Sequence, residues 1–298
     1  VSEYEFLTVM AFIYFISKEC EIVLMEVSMG GRMDTTNVIP APLVTIITPI
    51  SYDHMTILGN TLTEIATEKA GIIKPGTTVI TASQEKEVAL VLEETCKKNL
   101  VTLYSGIGSQ FLSRSLNGQT FRVGERMYET SMLGIYQLQN AAVAIRAAEE
   151  LVKLGYSISD DAIQNGIKNT KWFGRFTVVQ DNPPIIVDGG HNRQGAAVLR
   201  QSLEAYFPGK KITFVLGILA DKEVDIILDT LLPIADKCYT MAVPNPRTMD
   251  PEDLAVKIRS HGVEAVVLEN GANISSVVDA DSVICVCGSL YLLQNVIY

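Results

Sequence analysis

A few short segments of this 298-residue chain hold the side chains that could do chemistry. Glu26 closes the apolar run Ile22–Val27 (IVLMEV), and His54 follows the apolar run Leu43–Ile47 (LVTII), within TPISYDHM. Read as strands buried on both faces, the two runs set a carboxylate and an imidazole at the carboxyl ends of a parallel sheet, where α/β folds bind ligands. A carboxylate oxygen, an imidazole nitrogen and several waters can hold Mg²⁺, a hard cation that keeps much of its water. The alternative for Glu26 is an ion pair with Arg32 across the loop Ser28–Asn37 (SMGGRMDTTN), and Asp53 could be a plain cap. Lys69, in ATEKAG, falls in the last turn of a helix opened by the capping box Thr61/Glu64 and stopped at Gly71. Its ammonium either complements the helix dipole or turns toward the site.

Further along, the run Ile185–Val187 leads into Asp188-Gly189-Gly190-His191-Asn192 and then a helix. Glycines there permit close backbone approach, the helix start offers free N–H groups, and the acid could take ribose hydroxyls. Gln137 and Asn140 open an Ala-rich helix and could cap it or reach a ligand, while Arg175 could pair with a surface acid or with a phosphate. Neither G-x-G-x-x-G nor G-x-x-x-x-G-K-[ST] occurs; Gly209-Lys210-Lys211 has Glu204 where the first glycine of the latter should stand. The visible motifs amount to half a nucleotide site.

The elements that must position these residues read as α/β. Helices are expected after the Ser2/Glu5 capping box through Phe6, Leu7, Val9, Met10 and Ile13, after Thr61, at Lys86–Asn99 and at Leu138–Leu154, with a small antiparallel addition between Val101 and Leu133. From Pro183 onward, strands at Ile185–Val187, Ile212–Leu216, Cys238–Val243, Val263–Leu268 and Val283–Val286 alternate with helices, ending in one at Ser289–Val296, the pattern of a second, mostly parallel sheet. Two domains are expected, 1–176 and 177–298. The 24 Lys and Arg against 34 Asp and Glu leave a net charge of −10, with no basic stripe for nucleic acid. Five sparse cysteines argue for a reducing compartment, with Cys285 and Cys287 as buried residues on one strand face rather than ligands. Phe6–Ile16, broken by Thr8, falls short of the roughly 20 residues a bilayer requires, and no signal peptide is evident, so a cytoplasmic protein is expected. The chain opens at Val1 directly into a helix capped by Ser2/Glu5, which reads as a chain lacking its N-terminus.

Taken together, Glu26–Ile39 (EVSMGGRMDTTNVI), Ile50–Gly76 (ISYDHMTILGNTLTEIATEKAGIIKPG), Gln137–Ile145 (QLQNAAVAI), Trp172–Phe176 (WFGRF), Ile185–Asn192 (IIVDGGHN) and Gly288–Leu292 (GSLYL) resemble the folylpolyglutamate synthase/dihydrofolate synthase family of the Mur ligase superfamily. The resemblance implies a P-loop-type ATPase domain followed by a Rossmann-like domain, and a monomeric ATP-dependent amide ligase acting on folate or dihydropteroate and L-glutamate. It implies Mg²⁺ ligation by Glu26 and His54 and a carbamylated Lys69. It further implies ATP contacts from Asn140, Arg175 and Asp188, a catalytic His191 beside them, and pterin contacts from Met33, Asp34 and Thr35. Tyr136 departs from the histidine common before the Gln137 match. The family's P-loop would precede Glu26, so residues 1–298 alone are expected to be inactive. The rivals are a peptidoglycan-precursor Mur ligase, an NAD-dependent oxidoreductase and an inert fragment of the synthase.

Overall fold

The structure, a computed structural model, describes residues 2–269 and 282–295. Helix α1 (Glu3–Ser17) starts where its capping box dictates: Ser2 Oγ accepts from the Glu5 N–H, and the Glu5 carboxylate accepts from the Ser2 N–H at 2.7 Å. Its apolar side chains Phe6, Leu7, Val9, Met10, Ile13 and Ile16 are all exposed. The strand expected at Ile22–Val27 is not formed. β-forming residues make a strand only where a neighbour pairs their backbone and a core covers their faces. Among the described residues no strand pairs with this run, and Leu24 is 89% exposed.

The first sheet contains β1 (Val44–Ile47), β2 (Thr78–Thr81) and β3 (Thr102–Tyr104), paired in that order and parallel throughout. Between β1 and β2 lie the short helix α2 (Met55–Leu58) and α3 (Leu62–Ala70); α4 (Lys86–Asn99) joins β2 to β3. The Thr61/Glu64 capping box opens α3 as expected. Ile47, Ile65, Ala66, Val79, Val88 and Leu92 form one continuous core between the sheet and α3 and α4.

An antiparallel meander follows, of β4 (Gln110–Ser115), β5 (Gly118–Val123) and β6 (Arg126–Thr130). Then come α5 (Gln137–Lys153) and α6 (Asp160–Asn169), the latter capped by Ser159. The third sheet has order β11-β10-β9-β12-β8-β7, built from β7 (Thr177–Asp181), β8 (Pro184–Asp188), β9 (Ile212–Leu216), β10 (Ala235–Thr240), β11 (Glu264–Val267) and β12 (Val283–Cys287). It is parallel except for β7, which pairs antiparallel with β8. Helices α7 (Arg193–Tyr206), α8 (Val224–Leu231) and α9 (Pro251–Ser260) connect its strands.

Three expectations are corrected here. β7 is not among the expected strands, because Gly174, Pro183 and Pro184 cluster as a domain boundary in the sequence. The strand expected at Cys238–Val243 runs Ala235–Thr240, since β9 ends at Leu216, whose carbonyl takes the Met241 N–H and closes the ladder. In place of the helix expected at Ser289–Val296 there is a 3₁₀ turn at Leu292–Asn295, with Val296 outside the described residues. Cys285 and Cys287 are fully buried free thiols. Burial pushes the Cys285 thiol well above its ordinary range, which suits a core residue and not a metal ligand.

The chain divides into two compact units, residues 1–108 with 143–158, and residues 109–142 with 159–298. Among the described residues no helix is long and apolar enough to cross a membrane.

Candidate active site

In the first unit the loop after Glu26 is organised by Asp34. Its Oδ2 accepts from the N–H groups of Ser28 (3.0 Å) and Met29 (3.1 Å); its Oδ1 accepts from the Thr36 N–H (2.9 Å) and hydroxyl (2.6 Å). Partial burial opposes the ionised form, but the bonds from Thr36, Met29 and Ser28 outweigh it and hold the carboxyl below its ordinary value. Thr35 Oγ1 lies 3.1 Å from Thr8 Oγ1. Of the three residues expected to meet a pterin, Met33 is the one whose side chain stands clear, 80% exposed.

The loop seats on the end of α3. The Arg32 N–H donates to the Glu68 carbonyl (2.8 Å) and its guanidinium pairs with the Glu68 carboxylate (2.8 Å), so the alternative pairing of Arg32 with Glu26 is not formed. The Asn37 amide donates to the Gly71 carbonyl at 3.1 Å. Gly31 and Gly71 make this approach possible. A Cβ on Gly31 would lie 2.7 Å from the Glu68 oxygen and 2.8 Å from the Lys69 oxygen, and one on Gly71 would lie 2.3 Å from the Arg32 Cβ.

Lys69 is half-buried. Desolvation lowers its pKa, partly offset by the charge of Asp53, so it is not a solvated dipole cap. His54 precedes α2 with φ 51°, a left-handed conformation that costs a non-glycine residue about 1–2 kcal/mol. Its N–H donates to Asp53 Oδ1 at 2.9 Å, and its side chain is 46% exposed. Glu26 is exposed, with neither hydrogen bond nor ion pair among the described residues. No group of three or more His, Cys, Asp or Glu among the described residues could cage a metal. No hydrogen bond or ion pair among the described residues joins Glu26 to His54, whose Nε2 lies 3.9 Å from Asp53 Oδ1; a carboxylate and an imidazole are donor types that Mg²⁺ accepts beside water.

In the second unit β8 delivers Asp188 to the sheet's carboxyl end, 4% exposed. Its Oδ1 accepts from the Gly190 N–H (2.7 Å); its Oδ2 accepts from the Phe176 N–H (2.9 Å) and the Tyr136 hydroxyl (3.3 Å). Burial raises the carboxyl's pKa, and these bonds with the Arg175 charge pull it back. A Cβ on Gly190 would lie 2.8 Å from Asp188 Oδ1, so the carboxylate can cap this turn only because the turn is glycine. His191 Nδ1 lies 3.0 Å from the Gly189 carbonyl and must donate to it, leaving Nε2 as the acceptor on neutral imidazole. Asn192 caps α7 through the Gly195 N–H at 2.8 Å. Arg175 is half-buried and makes no hydrogen bond among the described residues. Asn140 is exposed, its amide donating to Gln137 Oε1 at 3.0 Å.

The structure thus gathers Arg175, Asp188 and His191 into one cluster of the second unit, and seats the loop of residues 28–37 against the end of α3 at Lys69 in the first. Sequence reasoning gave no role to Tyr136 or to Phe176. Spacing carries no signal for a bond across 52 residues, or for the Phe176 φ of 47°.

The Mur ligase middle domain family matches residues 4–148, and the Mur ligase glutamate ligase domain family matches residues 174–290. The dihydrofolate synthase/folylpolyglutamate synthase of Bacillus subtilis is 33% identical over 319 aligned residues, covering 99% of this chain and 71% of the relative. The chain belongs to the dihydrofolate synthase/folylpolyglutamate synthase family. Folylpolyglutamate synthase of Mycobacterium tuberculosis, solved with ADP and AMPPCP, superposes with a TM-score of 0.88 at 30% identity, covering 99% of this chain and 72% of that one. An FPGS–AMPPCP–folate complex gives a TM-score of 0.82 at 30% identity, covering 99% and 70%. The family membership accounts for the parallel first sheet and the mostly parallel six-stranded sheet, and makes this chain a Mur-type ligase.

Proposed function

We propose that the chain catalyses ATP-dependent joining of L-glutamate to folate, and to dihydropteroate, through an acyl phosphate. The observation that carries this reading is the 33% identity to a synthase of that name along 99% of the chain. A carboxylate is a poor electrophile at neutral pH. Transfer of the ATP γ-phosphoryl group to the folate carboxylate forms an O–P bond and breaks the β,γ-bridge, giving ADP. The glutamate amine then attacks the acyl carbon, and phosphate leaves.

In this reading Glu26 and His54 hold Mg²⁺, which supplies positive charge against the transferring phosphoryl group. Arg175, free of hydrogen bonds among the described residues, offers its fork of donors to phosphate oxygens. The Gly189–Gly190 turn and the start of α7 receive the nucleotide, with Asn140 as a further contact and His191 Nε2 as a proton acceptor. Lys69 reacts as the neutral amine with CO₂: an N–C bond forms, a proton leaves, and a carboxylate replaces an ammonium that would repel the metal. Met33 and the loop ordered by Asp34 and Thr35 take the pterin. The domain division falls near 176, and the protein works as a cytoplasmic monomer.

The test is product mass. Protein carrying this chain, given MgATP, L-glutamate and folate or dihydropteroate, is expected to yield a product heavier by one glutamyl residue. No such product, or turnover only with a UDP-muramyl substrate, would overturn the reading.

A further inference from the structure

We infer that Tyr136 is a positioning residue: its phenol holds Asp188 Oδ2 and, through Asp188, fixes Arg175 and the 189–192 turn for nucleotide. The inference rests on the ligase reading above and goes beyond it, since no role there falls to Tyr136. Three stretches of chain distant in sequence meet on the one carboxylate: Tyr136 through its hydroxyl (3.3 Å), Phe176 through its N–H (2.9 Å) and Gly190 through its N–H (2.7 Å). A fourth bond, from the Gly189 N–H to the Gly174 carbonyl at 2.8 Å, ties the second stretch to the third.

The ring is seated deliberately. Gly134, with φ 91°, has no Cβ, and one placed there would lie 2.8 Å from Tyr136 Cε1. Phe176 sits at φ 47°, an outlier for a bulky residue, its ring fully buried 5.0 Å from the Tyr206 ring centroid. What holds that strained residue is its buried ring and its one bond to Asp188 Oδ2. Its neighbour Arg175 lies beside the same turn: a Cβ on Gly189 would be 3.4 Å from the guanidinium, whose charge acts on Asp188. Tyr136 shares the same oxygen, so the phenol decides whether Oδ2 keeps two donors or one. A buried carboxylate short of a donor rotates toward another, and that rotation loosens its hold on the Phe176 N–H.

The test is Tyr136→Phe, which keeps the ring and removes the donor. The Michaelis constant for ATP and the calorimetric dissociation constant for ADP are expected to rise about tenfold, the size of a hydrogen bond to a charged acceptor. The Michaelis constant for folate should stay within about twofold, and the melting temperature within a few degrees. An ADP affinity within twofold of wild type in Tyr136→Phe would overturn the inference. So would equal rises for ATP and folate. ADP titration needs no turnover, so wild-type protein that binds ADP without ligating glutamate would sink the ligase reading and still leave the Tyr136 comparison decisive.

Discussion

Replacing Gly31 by alanine is the sharpest mechanical test of how the first unit holds its chemistry. The new Cβ would lie 2.7 Å from the Glu68 carbonyl oxygen, 2.8 Å from that of Lys69 and 3.0 Å from the Lys69 Cα. All three are backbone atoms at the end of α3, so no flexible side chain can move aside. The loop must lift, stretching the 2.8 Å bond from the Arg32 N–H to the Glu68 carbonyl. Overpacking of this kind costs about 1–3 kcal/mol. At about 3 °C per kcal/mol for a protein of this size, the melting temperature should fall by roughly 3–9 °C. Turnover should fall further than stability, because the loop that follows Glu26 and the backbone of Lys69 are the parts pushed apart, and a misplacement near 1 Å can cost about 10²-fold. Differential scanning calorimetry and steady-state turnover check both. Gly108→Ala is the control: a Cβ there has nothing within 4 Å, and its melting temperature should match wild type within about 1 °C. If Gly31→Ala melted and turned over like wild type, the loop would not be seated on α3 as described.

Glu26→Ala and His54→Ala should each lose at least about 10²-fold in turnover while moving stability by no more than about 0.5 kcal/mol, since both side chains are exposed; a large drop in melting temperature would mean a structural role instead. His54→Gly should hold or gain up to about 1 kcal/mol by relieving the left-handed strain, yet be equally inactive; an active glycine variant would remove the imidazole from the mechanism. The lowered Lys69 pKa has a stability signature. Between its folded value and the ordinary lysine range the unfolded state binds more protons, so stability should rise with pH through that window, and Lys69→Met should flatten the rise. The same shift leaves more neutral amine for CO₂, so activity should fall in decarbonated buffer and return with bicarbonate. An activity indifferent to bicarbonate would argue for a plain ammonium.

Much of this architecture was legible locally. The capping boxes at Ser2/Glu5 and Thr61/Glu64 open α1 and α3 at the expected residues, because caps are contacts within one turn. The alternation after Pro183 gave the third sheet in nearly its observed strands. Failures came where a partner far away in sequence decides. Ile22–Val27 has the composition of a buried strand, yet no neighbour pairs with it among the described residues. Thr177–Asp181 (TVVQD) is rich in β-branched residues but short, and the strand forms because it pairs with β8 through a two-residue turn. The site divides the same way. Asp188 and His191 were legible as a strand end before a helix, but not that the carboxylate turns inward to three donors from Tyr136, Phe176 and Gly190. Likewise the family resemblance implies a pterin contact from Asp34, and in the structure its oxygens are engaged by Ser28, Met29 and Thr36.

The central claim is that a folate-type carboxylate is activated by phosphoryl transfer before glutamate attacks it. Substrate labelled with ¹⁸O in that carboxylate, incubated with MgATP, L-glutamate and protein carrying this chain, tests it most directly. The account predicts one ¹⁸O transferred to inorganic phosphate for each glutamate joined, with ADP as the nucleotide product. Amide formation with unlabelled phosphate, or AMP and pyrophosphate in place of ADP and phosphate, would contradict it.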